Sequence, residues 1–363
     1  MGRRVLRALI LGTVTLAGSA LAGSAPWASS AQASPLSVVG TVEIPGTPTS
    51  VAVSPSGALV YVANGRSVLA VDATTLGVAW TRSVGSAGLD LAVPATGSVI
   101  YAGGGKQVVA IDAGTGEVIR TIAIKAGVDS LAVSGDGRSL WALAHEPKGS
   151  RNGLISVVDA ATGRTTDTIK VGPKPIDLQL SPSGARAYVL GWGSNEVWVI
   201  NAKSRRVMSE IKVRSWPTAM ALNPSGSRLL VSHSPPGAQS AYAITTINTE
   251  RRAVTGVFRF AEDLDALAIT SDAITVGDTY LGEGEALVGL STSNRSLDYR
   301  PGMVLISLRT QQAVSTMQVN SQCTEHTIEV GLALSPDAER AYVIADCTRS
   351  PGALTVIDLT ASS

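Results

Sequence analysis

The chain is poor in the residues from which most catalytic and membrane-bound architectures are built. Of 363 residues, two are cysteine, three are histidine and only 4% are aromatic. No His-Glu-x-x-His, Gly-x-Ser-x-Gly or paired Cys-x-x-Cys occurs, so the common zinc-protease, serine-hydrolase and dithiol signatures are missing. The short GGGK at 103–106 has no helix after it to cradle a phosphate, and its glycines are expected to serve a hairpin link. Almost no segment has helical periodicity. Beyond the N-terminus no apolar run is long enough to span a bilayer, because glycine, proline or charge interrupts every few residues.

The start of the chain differs from the rest. Arg3, Arg4 and Arg7 precede an apolar run from Ala8 to Ala22, and Ala31-Gln32-Ala33 is a small-residue cleavage site. Residues 1–33 are therefore expected to be an export signal, with the mature, secreted protein running over 34–363. Arg3-Arg4 loosely resembles a twin-arginine signal, and an ordinary secretory signal is the competing reading. Without the three signal arginines, 26 basic residues face 28 acidic ones, a net charge of −2. That charge disfavours nucleic acid and anionic membrane surfaces as partners. In an oxidising compartment, Cys323 and Cys347 are expected to form one disulfide, worth about 3 kcal/mol by loop-closure entropy.

What the chain does have is repetition. In IDLQLSPSGARAYVL, residues 176–190, apolar residues alternate with polar ones, Ser-Pro-Ser-Gly breaks the run, and a second apolar run follows. This is a strand, a tight turn and a strand. The apolar pair recurs at Val51-Ala52-Val53, Leu91-Ala92-Val93, Leu131-Ala132-Val133, Leu178-Gln179-Leu180, Met220-Ala221-Leu222, Leu267-Ala268-Ile269 and Leu332-Ala333-Leu334. We refer to these as copies one to seven. A third strand ending on Asp or Asn follows in VLAVDATTLG, VVAIDAGTGE, ISVVDAATGR and VWVINAKSRR, and a fourth leads into the next copy.

Four short strands per period of about 40 to 47 residues is the spacing of a propeller blade. The expected fold is all-β: a seven-bladed β-propeller with four-stranded antiparallel blades, forming a single domain over 34–363. The last copy ends without a fourth strand, and VVGTVEI at 38–44 supplies one. The N-terminal strand is thus expected to complete the last blade and close the ring.

SPSGARAYVL, YVAN at 61–64 and the Asp-x-x-Thr-Gly strand ends resemble the YVTN-type propeller repeats of secreted bacterial and archaeal proteins, and more loosely the seven-bladed lactonase propellers. The resemblance covers 38–363 and implies a fold. It implies less about function, because such families include binding proteins, surface proteins and enzymes.

In a four-stranded blade, the links from outer strand to next inner strand and from second to third strand share one rim, here the first rim. His145, His233 and His326 all fall there, as do Cys323, Cys347, Trp192, Trp216 and an insertion of copy six, about 279–301, expected as a lid. Asp90, Asp129, Asp177, Asp265 and Glu329 stand one to three residues before the repeated apolar pair. If all faced inward, they would form an acidic ring at the channel mouth able to hold Ca²⁺ or Mg²⁺. The alternative is that each caps a link. Trp192 and Trp216 suit a sugar ring or an apolar ligand, against rim packing. The expected function is a secreted binding scaffold, expected as a monomer, that presents its first rim to a protein, glycan or small molecule. The competing class is a metal-assisted lactonase or lyase using those histidines as acid or base.

Overall fold

The computed structural model describes residues 36–85, 90–145, 152–234, 242–260, 266–269, 274–276, 279–281, 286–291, 302–310, 312–319, 327–347 and 351–360. All fall within one compact unit, Gln32–Ser363.

The repeated hairpin forms because its turn satisfies its own backbone. In copy four the strands Pro175–Leu180 and Arg186–Gly191 pair antiparallel, with Leu178 opposite Val189. Gly184 N–H donates to the Ser181 carbonyl at 2.8 Å, and Arg186 N–H donates to Ser181 Oγ at 3.0 Å. Gly184 takes a φ of 68°, the left-handed region that closes the turn. Copies one, three and seven repeat both bonds through Ser54, Ser134 and Ser335, and copy five repeats them through Asn223. In copy seven, Ala338 stands at the glycine position with a φ of 58°.

The third strands end by a second local device. Asp72, Asp112 and Asp159 each accept, through Oδ1, the backbone N–H and the hydroxyl of the threonine three residues on. These bonds hold all three carboxyls below the usual range. Leu76, Arg205 and Arg252 take left-handed backbone where the matching turns of copies two and three have Gly116 and Gly163.

The described strands form six four-stranded antiparallel sheets, one three-stranded sheet and one two-stranded ribbon. The count of four-stranded blades is therefore six, against seven expected copies. The difference lies in copy two, where Asp90–Ala92, Val99–Asp112 and Val118–Val128 make the three-stranded sheet. The GGGK segment, expected as a hairpin link, lies inside the strand Val99–Asp112. Gly103 pairs with Asp90, and a side chain there would press on Val128 at 2.7 Å and Leu131 at 3.2 Å. This glycine is set by close approach.

Copy six brings a second correction. A ribbon of Ile274–Val276 with Thr279–Leu281 lies between its first strand, Ala266–Ile269, and its second, Ala286–Ser291. Residues 279–281 thus belong to a link on the opposite rim, and the expected single lid over 279–301 is divided. Residues 292–301 lie outside the described residues.

The chain ends meet as expected. Ser37–Ile44 pairs antiparallel with Gly352–Asp358, with Thr41 opposite Thr355, and becomes the fourth strand of the last sheet. The sheets bury their faces against one another. Trp141, Leu143, Ile155 and Val157 of copy three meet Leu178, Val189 and Trp198 of copy four. Tyr342, Ile344 and Leu354 of copy seven meet Val60, Val62 and Leu69 of copy one. On the turns, Pro336 lies 3.4 Å from the Cβ direction of Gly57, and Pro55 and Pro182 lie 3.0 Å from those of Gly97 and Gly226. Each proline thus stacks on the glycine of the following copy. Among the described residues no helix is long and apolar enough to cross a membrane.

Candidate rim and channel site

The position immediately before the repeated pair is occupied, in chain order, by Ser50, Asp90, Ser130, Asp177, Ala219, Ala266 and Gly331. One arc is polar and the other is small and apolar. Asp90 ties three copies together. Its Oδ1 accepts the Ser50 hydroxyl at 3.0 Å and its own Leu91 N–H at 2.9 Å, and its Oδ2 accepts Leu131 N–H at 2.8 Å. Asp177, two copies on, repeats part of the pattern, accepting Leu178 and Met220 N–H, with Gln179 Nε2 at 3.4 Å and Gln179 also donating to the Met220 carbonyl at 2.7 Å.

Burial in protein raises the proton affinity of both carboxyls. For Asp177 the nearby Asp90 charge adds to burial, and its pKa is pushed up to about 7. Of the five residues of the expected acidic ring, Asp90 and Asp177 thus feel one another's charge. Asp129 lies one residue earlier, and its N–H donates to Leu143 O at 2.7 Å. Glu329 belongs to the strand Thr327–Leu334, and Asp265 lies outside the described residues. Among the described residues no group of three or more His, Cys, Asp or Glu is placed to hold a metal ion.

Of the three histidines, His233 is the one whose side chain is described. His233 ends the second strand of copy five, is 1% exposed, and shares a 2.8 Å hydrogen bond between Nε2 and Thr245 Oγ1. Burial lowers its pKa to about 4, so the ring is neutral at physiological pH. Nδ1 has no hydrogen-bond partner: the nearby Arg214 and Ser215 backbone favours the charged ring without reaching bonding geometry. His145 ends the strand Ser139–His145, paired with Gly153. His326 lies outside the described residues, as does Cys323, while Cys347 pairs with Thr327 at the end of its strand.

The two tryptophans do come together. Trp192 follows the second strand of copy four and Trp216 precedes the inner strand of copy five, and their rings meet edge to face at 5.0 Å and 73°. Lys174, in the link into copy four, sets its ammonium 4.3 Å over the Trp192 ring. Backbone bonds hold this cluster: Trp192 N–H donates to Lys174 O at 2.9 Å, Ser234 N–H to Trp216 O at 2.9 Å, and Trp216 N–H to Asn195 Oδ1 at 3.2 Å.

Lys174 and Trp216 take φ values of 49° and 60°, each immediately before a proline. Left-handed backbone is costly for such side chains, and the link itself recurs: in copy three Gly127 stands at the same place with a φ of 100°, and in copy one Gly65 N–H donates to Thr47 O at 3.0 Å as Trp192 does to Lys174. Asn195, at 56°, is a residue type that tolerates this region. Trp216 remains 40% exposed and Ile176 38%. Lys174 was missed by sequence reasoning, since a lysine before a proline carries no signal of its own.

No protein-family model and no curated protein matches this chain. Solved structures do. The β-propeller domain of Cps50 (Swd1) from Myceliophteria thermophila superposes with a TM-score of 0.68 at 15% identity, covering 90% of this chain and 100% of that one. Hydrazine synthase of Kuenenia stuttgartiensis gives 0.66 at 18% identity, covering 85% and 97%. The chain is thus a β-propeller with four-stranded antiparallel blades. At these identities the likeness concerns the fold alone.

Proposed function

We propose that the protein is an exported interaction scaffold that binds a ligand on its first rim, between copies four and five. The observation that carries this reading is the Lys174–Trp192–Trp216 cluster: an indole pair left partly open to solvent with an ammonium over one ring, on links where a lysine and a tryptophan take the left-handed backbone that copy three gives to Gly127. The wider propeller is read as seven-bladed and YVTN-like. In support, each inner strand touches the inner strands of the copies before and after it, and the copy-seven strand Thr327–Leu334 touches Pro48–Val53 of copy one. The basic and apolar start of the chain supports export, and Cys323 with Cys347 supports a bridge across the closing blade.

The test is to probe arrayed glycans and peptides with the full chain and with a Trp192→Ala/Trp216→Ala variant whose melting temperature is matched. The reading expects retained ligands that the variant loses. Ligands held equally by both proteins would refute it.

A further inference from the structure

Resting on the rim-site reading above, we infer that the ligand of this site is an anionic saccharide, a chain bearing uronate-type carboxylates. The argument is one of unmet donors. Lys174 has an indole face as partner but no carboxylate, and Arg214, two residues before Trp216, is exposed without an ion pair among the described residues. The neighbouring Lys212 is different, being paired with Glu196. Neither the Trp192 nor the Trp216 indole N–H has an acceptor among the described residues, whereas Trp80 Nε1 donates to Ala113 O at 3.3 Å. The Asn195 side chain spends its oxygen on Trp216 N–H, which leaves its amide N–H₂ as a further donor.

The cluster therefore offers a cation, two indole donors and an amide donor beside the exposed face of Trp216, with the exposed cation Arg214 two residues before Trp216 and the exposed Ile176 two residues after Lys174. What complements it is a ligand dense in acceptor oxygens, negatively charged, and possessing a flat face of C–H groups. A hexuronate ring has all three: its carboxylate and hydroxyl oxygens accept, and its C–H face stacks on an indole. An acidic peptide would satisfy the charges and leave the indole face without a ring-shaped partner. A neutral sugar would leave the cations unmatched.

The experiment is a tryptophan-fluorescence titration of the full chain with trigalacturonate, with a neutral galactose trimer and with a short polyglutamate peptide, at low and high salt. The inference expects saturable binding of trigalacturonate, at least tenfold weaker binding of the other two, and weakening as salt rises. Trp216→Ala should lower trigalacturonate affinity tenfold or more. Lys174→Gln/Arg214→Gln should lower it similarly and abolish the salt dependence. Preference for the neutral trimer or for the peptide, or no binding by any of the three, overturns the inference. If another ligand is lost on replacing both tryptophans, the rim site stands and only its anionic-saccharide assignment fails.

Discussion

Replacing Asp177 by Asn isolates the electrostatic consequence of placing carboxylates on the inner-strand seam. The folded ring holds the Asp177 proton more tightly than the unfolded chain does, because burial and then Asp90 raise its pKa from 3.8 to about 7. A carboxyl raised in this way contributes stability that is fully present below about pH 4 and is lost as pH rises through about 7. Three units correspond to about 4 kcal/mol at most, with Asp90 sharing the repulsion. Asn keeps an oxygen for Leu178 and Met220 N–H and carries no charge to repel Asp90. The variant should thus match the native chain at pH 4.5 and exceed it at pH 8.5 by up to several degrees in melting temperature. The lowered carboxyls Asp72, Asp112 and Asp159 drive the opposite trend in both proteins, so the difference between the two melting curves is the quantity to read. A variant less stable by the same amount at both pH values would refute the reasoning. It would show that the ionised carboxylate earns more from its backbone bonds than it loses by burial.

His233 runs the other way. Its folded pKa of about 4 lies below the unfolded value of 6.5, so stability is lost as pH falls from about 6.5 towards 4, by about 3 kcal/mol at most. His233→Gln, which preserves a partner for Thr245, should flatten that acid limb in melting curves taken at pH 7 and pH 4.5; an unchanged limb would exclude His233 as its source. Two glycines separate steric from conformational cost. Gly172→Ala would drive a methyl into the Trp198 indole and should cost about 3 kcal/mol in urea unfolding. Gly184→Ala meets open space at a φ of 68° and should cost about 1 kcal/mol. Equal losses at the two sites would contradict this separation.

The blades were legible because their determinants are local. Ser-Pro-Ser-Gly and Asp-x-x-Thr close their turns with bonds that reach no more than five residues, so the sequence pattern and the structure coincide. Ring closure was legible for a related reason: a copy short of one strand leaves an edge that VVGTVEI can cover. The channel carboxylates were not separable by inspection, because strand side chains alternate. Asp90 and Asp177 occupy the position just before the apolar pair and meet one another's field, while Asp129 stands one residue off, in the bend between two strands. Burial of His233 depends on Thr245 of the adjacent strand and on the Arg214–Ser215 link, neither of which marks it in the chain. The ribbon at 274–281 was misplaced because an insertion has no repeat to be aligned against.

What singles out the sector between copies four and five is the side chains it places on a link conformation that recurs in the ring. Copy three has Gly127 at this place, with a φ of 100°, whereas Lys174 and Trp216 take left-handed backbone there against their own backbone preference. Ala338 violates it in a recurring turn, where the glycine of the other copies shows what the turn demands. Lys174 and Trp216 violate it on the first rim, and the contacts that hold them are a cation over one indole and an edge-to-face meeting with the other. Those contacts are weak, on the order of 1 kcal/mol each, about the size of the backbone cost they offset. The unliganded cluster therefore gains little from its own geometry. A ligand that adds contacts to the Trp216 face and a counter-charge to Lys174 supplies the surplus, so binding should raise the melting temperature of the native chain and leave that of Trp216→Ala unchanged.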